Sequence, residues 1–209
     1  MEALKKKIIY GLQNELPGEA AHQLMAPLNR PLSSFAKQNF KDIRESAVSI
    51  ILYPFENKLQ TLLIQRPIYD GFHSGQIAFP GGKKDLSDPH LEFTARRETY
   101  EEVGIPMHLG ELLGELTEVY IPVSNFLVKP YVYFHNNLPQ LIRQEREVDE
   151  IISFSITDLI IPSTIGTIEV QFPNGITQKN IPCFNIDRKQ VWGATALILS
   201  EIKEIIKDL

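Results

Sequence analysis

The stretch Gly81 to Gly104, GGKKDLSDPHLEFTARRETYEEVG, decides how the chain is read. It opens on a glycine turn and ends in Arg97-Glu98-Thr99-Tyr100-Glu101-Glu102. Asp88 is a good helix N-cap, and Pro89 then falls at the first helical position, where its missing N–H costs nothing. Gly104 and Pro106 stop the helix. Within it, Glu98, Glu101 and Glu102 stand at i, i+3 and i+4, inside an arc of roughly 100° on one face. Three like charges that close destabilise a bare helix. They make sense beneath a hard divalent cation, Mg²⁺ or Mn²⁺, which takes carboxylates, waters and substrate phosphates as ligands. Arg97 can orient one carboxylate through a fork-like ion pair. Gly81 and Gly82 allow a tight turn that offers a carbonyl to a metal or an N–H to a phosphate. An ExxEE alone is more often a solvated helix face. The preceding arginine and the framing by Phe79-Pro80-Gly81-Gly82 and Val103-Gly104 point instead to a metal-dependent site for cleaving a diphosphate.

Outward from this segment, composition sets the limits. With 209 residues, 43% hydrophobic and 22% charged, the chain can build one domain with a full core. Its net charge of −5 gives no general attraction to nucleic acid or to an anionic membrane. No run of about 18 apolar residues suggests a membrane span. The first residues, MEALKKKIIYGLQNELPG, lack the apolar stretch of a secretory signal. Cys183 is alone, which fits a reducing compartment, so a cytoplasmic protein is expected.

The periodicities predict alternating strands and helices. Residues 1–30 read as helical, with Leu4, Ile8, Ile9, Leu12 and Leu16 at helical spacing, broken at Pro17-Gly18 and resumed over Glu19 to Met25. This segment is a packing or dimer arm, so a homodimer is one expected assembly. Residues 31–45 read as a polar surface wrap. Ala47–Tyr53 and Leu59–Gln65 form strands around a turn at Glu56-Asn57-Lys58, and Gln76–Phe79 is short and extended. Further strands are expected at Leu112–Val119, Leu127–Phe134 and Glu150–Ser155, and in a hairpin of Ile165–Phe172 and Ile181–Ile186 around Pro173-Asn174-Gly175. A helix from Gly193 to Lys207 closes the chain. Phe126 and Tyr131 read as core, as does Trp192 at the start of that helix. The pattern predicts an α+β (mixed α/β sandwich) domain.

The stretch resembles the Nudix hydrolases, whose box runs G, five residues, E, seven residues, R-E-apolar-x-E-E-x-G-apolar. This chain has Gly82, Asp88 in place of Glu, a gap one residue longer, and Thr99 in place of the apolar residue. The first two departures are similar to the coenzyme A pyrophosphatase branch. So is the upstream run from Leu62 to Gly82, which matches that branch's motif at Arg66, Gly75 and Phe79-Pro80-Gly81-Gly82 and departs from it at Ile64, Pro67 and Gly71. Pro122 to Pro130, Glu147-Val148-Asp149-Glu150 and Val191 to Ala196 extend the likeness.

The resemblance implies a Nudix fold, a mixed β-sheet between helices, with residues 1–45 as a helical extension packed on a hydrolase domain at 46–209. It implies that Glu98, Glu101 and Glu102 bind Mg²⁺ or Mn²⁺, that Gly82 adds a backbone ligand and that Arg97 is structural. Beyond the box, one of Glu147 and Glu150 is a candidate further metal ligand or base, as loop carboxylates are in some members. A solvated acidic turn is an equal reading of Glu147. Arg66, His73, Gly81 and Gly82 are candidate substrate contacts, although His73 also reads as a loop cap. The implied substrate is a small nucleotide, coenzyme A or an acyl derivative, cut to 4′-phosphopantetheine and adenosine 3′,5′-bisphosphate. Pro67 and Gly71 keep open a broader pyrophosphatase acting on ADP-ribose, NADH or dinucleoside polyphosphates. A non-catalytic nucleotide-binding regulator is the reading of another class. Such modules lose box carboxylates, and this chain keeps all three.

Overall fold

The computed structural model describes residues 2–70, 73–171 and 175–207. At its centre is strand β1 (Arg44–Phe55), whose run of apolar residues suits a strand covered on both faces. Along one edge it pairs in parallel with β7 (Phe126–Phe134), from Arg44↔Phe126 to Leu52↔Phe134. The other edge is shared. β4 (Gly81–Lys83) pairs antiparallel with Ser46–Val48, and β2 (Lys58–Gln65) with Tyr53–Phe55. Glu56 and Asn57 both have positive φ, 47° and 61°, which makes the β1–β2 connection the two-residue turn that suits strand twist. β3 (Ile77–Ala78) and β8 (Glu150–Ser155) flank β2, while β5 (Glu111–Glu115) and β6 (Val119–Ile121) pair with β7. A separate antiparallel ribbon contains β9 (Ile165–Gln171), β10 (Thr177–Ile186) and β11 (Lys189–Val191).

Strand alternation divides the core in two. Ile50, Leu52, Leu59 and Leu63 face the larger cluster, with Leu4 and Ile8 of α1 (Glu2–Gln13) and Leu197, Leu199 and Ile202 of α5 (Gly193–Ile206). Ile51, Tyr53, Leu62 and Ile64 face the smaller one, with Val103, Ile105 and Val148. That second face carries α4 (Leu91–Val103), the helix with the acidic motif. Helices thus cover both faces of a mixed sheet, the α+β sandwich expected from the sequence.

The structure departs from the expected elements at several places. The segment 31–45 is not simply a wrap: Ser33–Asn39 is a helix, α3, fixed by Glu19, which accepts from the Ser34 N–H and hydroxyl at 2.7 Å each. α2 is shorter than expected, Gly18–Gln23. The strand expected at Leu112–Val119 breaks into β5 and β6, and β11 went unpredicted. Helix α4 begins after His90, whose Nδ1 accepts from the Phe93 N–H at 3.1 Å, so His90 rather than Asp88 is the N-cap. Phe126, Tyr131 and Trp192 are half-buried rather than core. The expected turn residues Pro173 and Asn174, the strand end at Phe172, and Gly71 lie outside the described residues.

Gly104 ends α4 in the left-handed region, φ 76°, and its N–H donates to the Tyr100 carbonyl at 3.0 Å. A β-carbon there would also lie 2.9 Å from Cβ of Ile142. Gly104→Ala is expected to cost about 1–2 kcal/mol, read as a lower urea midpoint.

Candidate active site

Burial of Thr94, Ala95, Thr99 and Val103 seats α4 on the sheet and turns Arg97, Glu98 and Glu101 outward. Arg97 organises this face. Its Nε and Nη2 donate to the two oxygens of Asp88 at 3.0 and 2.8 Å. Nη1 donates to Glu98 at 2.8 Å and Glu101 at 2.9 Å, and Nη2 also reaches the Lys83 carbonyl at 3.2 Å. A guanidinium has five N–H donors, and each has an acceptor here. The hydrogen bonds from Arg97 hold Asp88 well below the usual carboxylate range, and Asp88 in turn raises Arg97. Asp88 therefore clamps the arginine. The signal for this lay in the sequence, since Asp88 stands at the box's acidic position.

Glu102 is 1% exposed. It accepts from the Gly81 N–H at 2.8 Å and from Arg66 at 3.3 Å, and Arg66 also meets the Gly81 carbonyl at 3.4 Å. Burial nevertheless pushes its pKa up to about 8, with the Glu98 and Glu147 charges adding to the rise. Glu98 is raised too, first by burial and then by Glu101 and Glu147, against the pull of Arg97. A β-carbon at Gly82 would collide with the Glu98 carboxyl, so the backbone there passes directly against the carboxylate. Glu147 is exposed, on a loop tied to the end of α4 by Ile142 N–H to Val103 O at 2.9 Å and Gln144 N–H to Glu102 O at 3.0 Å. The fold thus brings Glu98, Glu102, Glu147, Gly81, Gly82 and Arg66 together. His73 stands apart in the preceding loop, its Nδ1 3.0 Å from Gln76 Oε1.

Asp88, Glu98, Glu101, Glu102 and Glu147 outnumber the guanidiniums of Arg66 and Arg97. Glu98 and Glu102, whose pKa values burial and neighbouring carboxylates raise, lie beside a glycine backbone, a donor set that fits a hard divalent cation. Among the described residues no three His, Cys, Asp or Glu side chains converge as a closed cage. Glu101 is turned to Arg97, and Glu102 to Gly81 and Arg66.

The raised Glu102 has a measurable consequence. A carboxyl with a folded-state pKa near 8 and an ordinary value of 4.5 contributes stability fully present below that ordinary value. The contribution is lost as pH rises through 8. Without divalent metal, the melting temperature is expected to fall between pH 5 and 8.5, and Glu102→Gln to flatten that slope.

The NUDIX domain model matches residues 43–170. The chain is 33% identical over 129 residues to the human mitochondrial coenzyme A diphosphatase NUDT8, a match covering 61% of this chain and 54% of that protein. It is 33% identical over 142 residues to the uncharacterised Nudix hydrolase NudL of Salmonella paratyphi B, covering 68% of this chain and 72% of that one. The chain thus spans only about half the length of the human relative. In fold, a MutT/nudix family protein from Enterococcus faecalis superimposes on 98% of this chain and 74% of its own with a TM-score of 0.53, at 17% identity. With the matched domain covering more than half of the sequence, and the acidic helix, its arginine and the glycine turn all inside it, the chain belongs to the Nudix hydrolase family.

Proposed function

We propose that the protein hydrolyses the diphosphate of coenzyme A or an acyl derivative, releasing 4′-phosphopantetheine and adenosine 3′,5′-bisphosphate. The observation that carries the reaction is the grouping of buried Glu102 and half-buried Glu98 against the Gly81-Gly82 backbone, with the exposed Glu147 beside them. The substrate rests on the likeness to a coenzyme A diphosphatase and on the matches at Arg66 and Gly75.

Glu98, Glu101 and Glu102, with the Gly82 carbonyl and Glu147, would hold Mg²⁺ or Mn²⁺. When bound, such an ion polarises phosphoryl oxygens and lowers the pKa of a water. Arg97 fixes the rotamers of Glu98 and Glu101 and, with every N–H engaged, does not reach the substrate. Arg66, half-buried at the end of β2, offers positive charge to the diphosphate beside the glycine turn. A carboxylate with raised pKa is suited to taking a proton from the attacking water near neutral pH; Glu98 and Glu102 fit that description, and Glu147 is a further candidate base by its position. Water adds to one phosphorus, its P–O–P bond breaks, and the departing phosphate takes the bridging oxygen. His73 is the remaining candidate substrate contact, on the loop before Gly75.

The test is incubation of the protein with coenzyme A and MgCl₂ or MnCl₂, with products identified by mass. The two named products support the reading. Cleavage of ADP-ribose, NADH or a dinucleoside polyphosphate, with coenzyme A intact, overturns the substrate and keeps the chemistry. No cleavage of any of them favours a nucleotide-binding regulator.

A further inference from the structure

Beneath the acidic face lies a polar contact that the chemistry above does not use. Ser49 on β1 is 1% exposed and Thr99 on α4 is 4% exposed. Their hydroxyl oxygens are 2.7 Å apart, and both approach the Ala95 carbonyl, Ser49 at 3.1 Å and Thr99 at 2.7 Å. Two hydroxyl hydrogens serve this triangle, one between the hydroxyls and one to the carbonyl. The Ser49 backbone N–H donates to the Pro80 carbonyl at 2.8 Å, immediately before the glycine turn. One residue therefore holds both halves of the site, the turn through its backbone and the helix through its side chain. Thr99 lies next to Glu98 in sequence and stands where the family's box has an apolar residue.

We propose that Ser49 and Thr99 form a positioning pair that sets how far α4 stands from the Gly81-Gly82 turn, and thereby the affinity of the carboxylates for a divalent cation. This rests on the metal site of the function proposed above. Tolerance on the site side is small, because the Gly82 backbone already abuts the Glu98 carboxyl. On the other side a small gap of about 10 Å³ is lined by Ser49, Thr99, Tyr133 and His135 among others, so the hydroxyl pair borders a place where the packing beneath α4 is incomplete.

The decisive variants are Thr99→Val, which keeps shape and removes the hydroxyl, Thr99→Ser, which keeps the hydroxyl and removes a methyl, and Ser49→Ala. Binding of Mn²⁺ is measured without substrate by the electron paramagnetic resonance signal of the free ion, and kcat and KM are measured on coenzyme A. In Thr99→Val and Ser49→Ala the Mn²⁺ dissociation constant is expected to rise about tenfold, the scale seen when a group that orients metal ligands is removed. Their kcat should fall while KM moves less than about twofold. Thr99→Ser should bind Mn²⁺ like the parent, and the double variant Ser49→Ala/Thr99→Val should be little worse than either single change. Parent-like Mn²⁺ binding by Thr99→Val overturns the proposal, as does a loss in Thr99→Ser equal to that in Thr99→Val, which would mark packing as the cause. A parent protein that binds Mn²⁺ but spares coenzyme A overturns the substrate alone. One that binds no Mn²⁺ overturns the metal site and this pair with it.

Discussion

Glu101→Gln and Glu102→Gln are each expected to yield a folded protein whose kcat has fallen by at least about 10²–10³-fold, the scale of removing one charge-stabilising group from an active site. The two positions make the test complementary. The Glu101 side chain is 47% exposed and meets Arg97 through an i,i+4 pair, so its contribution to stability is at most about 1 kcal/mol. Glu102 is buried with a raised pKa, and neutralising it removes an unfavourable charge. A lost rate at either site is therefore expected without a large fall in stability. Steady-state turnover beside a thermal melt separates the two effects. Unchanged turnover in both variants would sink the metal-site reading.

The largest expected loss of stability lies far from those carboxylates. Glu201 on α5 is 0% exposed, and His22 on α2 is 4% exposed. The Glu201 carboxylate lies 3.1 Å from Nε2 of His22. It also accepts from the Thr117 hydroxyl at 2.7 Å, the Thr117 N–H at 3.1 Å and the Gly18 N–H at 3.2 Å. One side chain thus ties together the N-terminal arm, the last helix and the β5–β6 link. Glu201→Ala leaves a buried imidazole and two partly buried backbone N–H groups without their acceptor. Breaking a buried pair from one side costs about 3–5 kcal/mol. Urea unfolding followed by the fluorescence of Trp192, the single tryptophan, is the measurement. A loss below about 1 kcal/mol would show that water reaches this cluster.

Much of this was legible in the sequence, for specific reasons. The stop of α4 at Gly104 was readable because a glycine C-cap acts locally, whereas the start expected at Asp88 lies after His90. The strands β1, β2, β7 and β8 were readable because burial on one or both faces imposes a two-residue or continuous apolar pattern. What was not legible depends on contacts between distant residues. α3 is fixed by Glu19, and β11 exists only as the partner of β10. Asp88 is a competent cap by residue type, but the pull of Arg97 decides its role. Ser49 was the one polar side chain in an otherwise apolar strand run, AVSIILY. That was a signal, but its partner on α4 had to be seen before it meant anything.

The placement of α5 bears on how the chain matures during translation. β1 is made early, but the larger face of its sheet is closed by Leu197, Leu199 and Ile202, residues that leave the ribosome long after it. Until then Ile50, Leu52, Leu59 and Leu63 have only α1 and neighbouring strands to shelter them. The smaller core beneath α4 can close once residues up to about 152 have emerged, since its members lie between Ile51 and Ile151. The nascent protein should therefore carry its acidic helix in place before it can bury its main core. Through that interval the open sheet face is the surface a chaperone would hold, and the surface at which a stalled chain would aggregate.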